Sequence, residues 1–247
     1  MNNKIWIIAP FIDYFKPLME QGVASRFLKN SIHLVSLRDY GLGNYKAIDD
    51  TPYGGGPGMV IRADVLKAAL IEGVIKPGNY REEFKEKLHI IYTSPRGEVW
   101  DNNICKDFAQ THFSKDSKDL VFICGRYEGI DERFWENYID EDLSLGDFVL
   151  TGGEIAVMAF LDSSLRFVEG VLGNKNSADN DSFEDCLIEG PQYTKPQEFE
   201  GKTPPEVLLS GHHAKIDNFH LEQRKKFTQN LRPDLWDKYK KRYQENE

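Results

Sequence analysis

The sequence predicts an α/β fold, a mainly parallel sheet flanked by helices, with a small helical C-terminal domain after it. Three observations carry this prediction. Short apolar runs rich in β-branched and aromatic residues, Ile5–Ile8, Ile32–Leu37, Leu88–Tyr92 and Leu120–Cys124, read as buried strands. Helix-like segments separate several of them, and that alternation implies parallel strands with crossover helices. Glycine-rich loops follow the strand ends, where open α/β sheets place their ligands.

Taken in order, Ile5–Ile8 is the first strand. Ile12–Leu28 reads as a helix in which Pro17 sits in the first turn or causes a kink. Ile32–Leu37 is the second strand, and the polar, glycine-rich stretch Arg38–Gly58 reads as a long loop, either functional or disordered. Ala63–Val74 places Val65, Leu66, Ala69 and Leu70 on one helical face, and Lys76–Lys87 is a charged connection. Leu88–Tyr92 is a strand closed by the turn Thr93–Gly97, and Asp101 is placed to cap a helix carrying Ile104, Cys105 and Phe108. Leu120–Cys124 is the central strand, with Phe148–Leu150 as a second strand-like pulse. Thr151 and Glu154 have capping-box spacing before a run of seven apolar residues, Ile155–Leu161. A helix apolar all round belongs in a core or at a subunit interface.

The first 173 residues thus read as one domain, residues 174–182 as a polar linker, and residues 183–247 as a helical domain. In the last, Pro204-Pro205 marks a helix start, and Ile216, Phe219 and Phe227 supply a modest core. There is no internal repeat.

Composition narrows the class. The chain has 247 residues, is 40% hydrophobic and carries a net charge of −9, which by itself argues against a nucleic-acid binder. The charge is uneven: Gly211–Glu247 nets +3 and the remainder −12. That tail is either a handle for a polyanion, with Arg224, Lys225 and Lys226 as its basic cluster, or a partly solvated helical face. Three cysteines without C-x-x-C spacing fit a reducing compartment and no zinc site. The adjacent His212 and His213 have no suitably spaced partner, so no metal site is assigned. The opening apolar run is too short for a signal peptide and no run reaches membrane length, so a cytoplasmic protein is expected.

The glycine loops carry no phosphate-binding signature: Gly54–Gly58 is followed by Met59 rather than Lys. They carry carboxylates instead, Glu128, Asp131, Glu132, Asp147 and Glu154, which suit a ligand with positive charge and equally suit solvated loops.

The runs CGRYEGIDER (residues 124–133) and SLGDFVLTGGE (residues 144–154) resemble the bacterial tRNA (guanine-N1)-methyltransferases, a family of the SPOUT superfamily. The resemblance extends through LRDYGLGNYKAIDDTPYGGGPGM from Leu37, YTSPRG from Tyr92, DSSLRFVEGVLG from Asp162, DNDSF from Asp179 and PPEVLLSGHHAKI from Pro204. It implies a trefoil knot in the catalytic domain and a homodimer with active sites built from both subunits. The implied reaction moves a methyl group from S-adenosylmethionine to N1 of the guanosine 3′-adjacent to the anticodon of tRNA. By the same resemblance Asp181 is the base and Arg166 the partner of O6. The cofactor loops are Tyr92, Thr93, Ser94 and Pro95; Gly125, Tyr127 and Glu128; Leu145, Gly146, Asp147, Phe148, Val149 and Leu150; and Gly152 and Gly153. Leu145 and Phe148 stand where family members have Ile and Tyr, and the IAPFIDYF start departs from the family's pattern. Some members require Mg²⁺, for which the sequence indicates no position.

The chemistry makes these roles coherent. N1 of guanine is protonated at neutral pH, so a carboxylate must take its proton while a cation stabilises charge growing on O6. Two other readings are weighed: a SPOUT relative that methylates another RNA position, and a non-catalytic RNA-binding module. A ribose methylase has no N1 proton for Asp181 to remove, and a silent module has no need of Glu128, Arg166 and Asp181 together.

Overall fold

The computed structural model describes residues 3–171 and 181–243. The chain separates into two compact units, Met1–Lys175 and Asn176–Glu247. Most of the expected linker, residues 174–180, lies outside the described residues.

In the first unit, β1 (Ile5–Ala9) is wholly buried. The expected helix after it is broken into a 3₁₀ turn at Ile12–Phe15, α1 (Lys16–Glu20) with Pro17 in its first turn, and α2 (Ser25–Ser31). Gly22, at φ +79°, separates the two helices with a conformation no helix continues through. β2 (Ile32–Ser36) follows. The segment read as a long loop is partly built: β3 (Asp49–Asp50) pairs antiparallel with β4 (Val60–Ile61). Next, α3 (Ala63–Leu70) buries the four residues on its expected face and runs on through a π-helical turn, Ile71–Ile75, into α4 (Lys76–Gly78). The charged connection therefore contains helix, including α5 (Phe84–Lys87).

β5 (Leu88–Val99) is longer than its apolar core because the strand continues past the expected turn. Its pairing register shifts between Thr93 and Glu98, so Ser94–Gly97 bulge out of the ladder. α6 (Asn102–His112) is capped by Asp101, whose side chain accepts from the amides of Asn103 and Ile104. β6 (Asp119–Cys124), α7 (Glu132–Tyr138) and β7 (Glu141–Ser144) follow. The strand expected at Phe148–Leu150 is absent, and β7 is the true edge strand. The five long strands form one sheet in the order β2-β1-β6-β5-β7, every pairing parallel. Apolar residues pack on both faces: Phe15, Phe122, Phe160 and Leu161 on one, Ile8, Leu66, Ile90 and Phe134 on the other.

Thr151 does not cap the next helix. α8 (Glu154–Leu165) has Gly153 at its N-cap, which has no side chain to make a capping bond, and Glu154 is turned inward to pair with Arg126. α8 buries Ala156, Val157, Phe160, Leu161 and Leu165, while Ile155 is exposed.

The second unit contains α9 (Glu206–Leu209), directly after Pro204-Pro205, then α10 (His213–Leu231) and α11 (Pro233–Tyr243). Its core differs from the expected one. Ile216, Phe219 and Phe227 are only half-buried, whereas Leu187, Thr228 and Leu235 are buried. Thr228 Oγ1 accepts from Ile188 N at 2.9 Å and donates to Arg224 O at 2.7 Å. Arg224 donates to both oxygens of Asp185 at 2.6 and 2.9 Å, so it is a structural staple and not a free surface cation. No helix among the described residues is long and apolar enough to cross a membrane.

Candidate active site

The carboxyl ends of β5, β6 and β7 open into one cavity of about 520 Å³ in the first unit. All the expected cofactor residues line it except Asp147, which is exposed outside it. Tyr92–Pro95 come from the end of the regular part of β5, Gly125–Glu128 from the loop after β6, and Leu145–Leu150 from the loop after β7. Gly152 and Gly153 lead into α8.

The loops are zipped together by close backbone approach. Gly153 N donates to Gly125 O at 2.8 Å. A Cβ on Gly153 would collide with Thr93 Oγ1 and lie 3.0 Å from Gly125 N, so this junction requires glycine. At Gly125 an added Cβ would stand 2.7 Å from Tyr92 Oη and 3.1 Å from Thr93 O. That glycine therefore makes room for the fold's own β5 and not directly for a ligand.

Electrostatics fix the floor and rim. Glu154 is 1% exposed and accepts from Arg126 Nε at 3.0 Å, and Arg126 also donates to Thr151 O at 3.2 Å. Burial works to lower the Arg126 pKa, but the hydrogen bond and charge of Glu154 outweigh it and hold the guanidinium above its ordinary value. Glu154 Oε2 is buried with no hydrogen-bond partner among the described residues, beside Gly152. On the rim, Arg96 donates to both oxygens of Glu132 at 3.0 and 3.1 Å and lies 4.9 Å over the Trp135 ring. Burial, and then the Asp142 charge, push the Tyr92 phenol up to about 12. Burial raises the Cys124 thiol well above its usual value, which leaves it unreactive.

The long glycine segment reaches this rim. Glu128 N donates to Met59 O at 3.0 Å, and Ile61 exchanges bonds with Gly129 O and Asp131 N at 2.9 and 3.0 Å. Arg96, Arg126, Gly129, Ile130, Leu143, Ser144 and Ala156 line the cavity without having been singled out, and Glu132, expected only as one of the loop carboxylates, lines it too. Most are immediate neighbours of residues that were, so the signal was in the same runs. Asp131 is the N-cap of α7, paired with Arg133. Arg166 is the C-cap of α8, in the first unit. Asp181 is in the second unit, at a bend two residues before Phe183, which has φ +82°. The structure thus gathers the expected cofactor residues, Asp147 apart, around one cavity in the first unit and leaves the two expected catalytic residues in different units.

A family model described as tRNA (Guanine-1)-methyltransferase TrmD matches residues 3–238. The chain belongs to this family. Among its relatives is a protein from Chlamydia pneumoniae named tRNA (guanine-N(1)-)-methyltransferase, 42% identical over 96% of the chain, which spans 62% of that relative's length. Proteins of the same name from Ruegeria sp. (strain TM1040) and Pelagibacter ubique are 40% and 42% identical. They match 97% and 95% of the chain, which spans 94% and 97% of their lengths. Family membership accounts for the runs around the cavity, because the match includes every residue that lines it.

Proposed function

We propose that the protein is a tRNA (guanine-N1)-methyltransferase that uses S-adenosylmethionine and acts on the guanosine 3′-adjacent to the anticodon. The observation that carries this reading is the cavity at the strand ends, lined by the loops that carry the resemblance, in a chain that matches the family from residue 3 to 238. Its volume is in the range of cofactor pockets. The Glu128 carboxylate on its wall suits a ligand with positive charge. Bound there, S-adenosylmethionine supplies an activated methyl group.

The chain's own residues do the rest. The Asp181 carboxylate takes the N1 proton as the methyl is accepted, and the Arg166 guanidinium stabilises negative charge on O6. Tyr92, Gly125 and Gly153 keep the cavity walls fixed, and Arg126 with Glu154 anchors the loop that carries Tyr127 and Glu128. The working enzyme is a cytoplasmic homodimer whose catalytic domain, residues 1–173, carries the SPOUT knot. Residues 183–247 contact the tRNA. A patch of exposed apolar residues beside the cavity, Phe148, Val149 and Ile155, supports the dimer. A monomeric mass in sedimentation together with full activity contradicts it.

The deciding experiment incubates the protein with labelled S-adenosylmethionine and unmodified tRNA and then digests the tRNA to nucleosides. The expected label is in 1-methylguanosine. Label in any other nucleoside, or none, overturns the reading.

A further inference from the structure

At the amino end of the sheet, away from the cavity, three side chains converge that the methyl-transfer chemistry does not use. His89 stands at the start of β5, His112 ends α6, and Glu141 opens β7. The His89 and His112 rings stack with centroids 4.6 Å apart. His89 Nε2 is 2.7 Å from Glu141 Oε2, and His112 Nε2 is 4.0 Å from that same oxygen, too far for a hydrogen bond. One ligand atom from each of the three lies within 4.8 Å of the other two.

We infer that His89, His112 and Glu141 form a binding site for a divalent transition cation of the Zn²⁺ class. Two imidazoles and one carboxylate are the donor set that such ions prefer and that Mg²⁺ does not. Bonds of about 2.0–2.2 Å in a tetrahedral site put neighbouring donors roughly 3.3–3.5 Å apart. The present separations of 2.7 and 4.0 Å fall on either side of that spacing. A cation bound at the nitrogen edge of the stacked pair replaces the proton shared by His89 and Glu141 and draws the His112 nitrogen toward it.

The scaffold is suited to this. All three donors sit at the ends of regular elements, and all are partly accessible, with side-chain exposures of 21%, 13% and 29%. The Asp140 carboxylate lies 4.0 Å from His89 Nδ1, beyond hydrogen-bond reach, and adds negative charge beside the site; it is itself held by Ile90 N at 2.8 Å. His89 precedes Thr93 by four residues along β5, so the site is on the order of 13 Å from the cavity wall. The bound ion cross-links α6 to two adjacent strands, which is a structural role separate from methyl transfer. With three protein donors, the fourth position is left to water.

The test uses the full-length protein, dialysed against chelator and titrated with Zn²⁺ alone. Calorimetry should show one ion per chain, and the melting temperature should rise with Zn²⁺ concentration. His112→Gln and Glu141→Gln should each weaken binding at least tenfold, while His220→Gln leaves it unchanged. Mg²⁺ at equal concentration should not compete. No Zn²⁺ binding to the wild type, undiminished binding in both ligand variants, or effective competition by Mg²⁺ overturns the site. A further measurement needs no variant. Co²⁺ bound to the wild type should show d–d bands of a nitrogen–oxygen site, and a thiolate charge-transfer band would instead assign the ion to a cysteine.

Discussion

The two units of this chain are built on different principles. The first stacks apolar side chains on both faces of a parallel sheet, with β1 and most of β6 wholly buried. Among its described residues the second buries only Leu187, Thr228 and Leu235, and relies on polar staples such as the Arg224–Asp185 pair. A sheet buried on both faces fixes its strand ends, and those ends position the loops that line the cavity. A helical unit with a sparse core instead leaves long faces of α10 and α11 to solvent. Such faces suit contact with a polyanion and not the shaping of a pocket.

The largest expected effect crosses this division, because the proposed base, Asp181, is not in the unit that holds the cavity. Asp181→Asn keeps the shape of the side chain but removes its basicity. Single-turnover methyl transfer at saturating tRNA and cofactor should fall by about 10²–10⁴, with S-adenosylmethionine binding near normal. Arg166→Ala slows the same step, so the double variant should be far less than multiplicatively impaired. A near-wild-type rate for Asp181→Asn would falsify the assignment and leave the first unit to supply its own base.

The contrast in packing predicts a difference in stability. Phe160 is fully buried in the first unit, and Phe160→Ala should cost about 3–5 kcal/mol in urea denaturation. Phe227 is only half-buried, and Phe227→Ala should cost roughly 1 kcal/mol. Equal losses would mean that the second unit has a core as dense as the first.

These differences also explain what could be read from the sequence. Leu120–Cys124 was legible as the central strand because a strand buried on both faces is apolar throughout. β7 was not, since Glu-Asp-Leu-Ser carries one apolar residue. Phe148–Leu150 imitated a strand because rim residues of a cavity are apolar too, although Val149 is 89% exposed. Pro95 and Gly97 punctuate β5 as a turn would, yet the strand resumes at Glu98. Glu154 suggested a capping box, but its burial beside Arg126 is a tertiary effect that local spacing does not encode. The cavity's residues were legible only as a set, through family resemblance. Asp181 and Arg166 carry no local signal that distinguishes them from a solvated acid and a helix-terminal cation.

A weaker test sharpens the picture of the second unit as an electrostatic surface. Arg224 is engaged with Asp185, so replacing it would mix lost charge with lost stability. Lys215 and Lys226 are exposed on α10 and serve better. Replacing both with Gln should flatten the salt dependence of tRNA binding by roughly 0.7–0.9 per lost phosphate contact. An unchanged slope and affinity would make α10 a merely solvated face.

The smallest effect probes where the packed core meets the cavity. Tyr92 is 4% exposed, and its phenol is pushed from an ordinary value of 10.0 to about 12, first by burial and then by the Asp142 charge. The sign follows from proton counting. Between these two values the unfolded chain has lost the phenolic proton while the folded chain keeps it, so raising the pH favours unfolding. The stability this group contributes is complete below about pH 10 and is lost as the pH rises through 12. Tyr92→Phe removes the titrating group. Its stability difference from the wild type should therefore shift in the variant's favour by on the order of 1 kcal/mol between pH 8 and pH 11. Paired denaturation curves at the two pH values measure it. A difference independent of pH would show that water reaches the Tyr92 hydroxyl, and that the cavity wall at Gly125 is looser than a sheet-anchored wall should be.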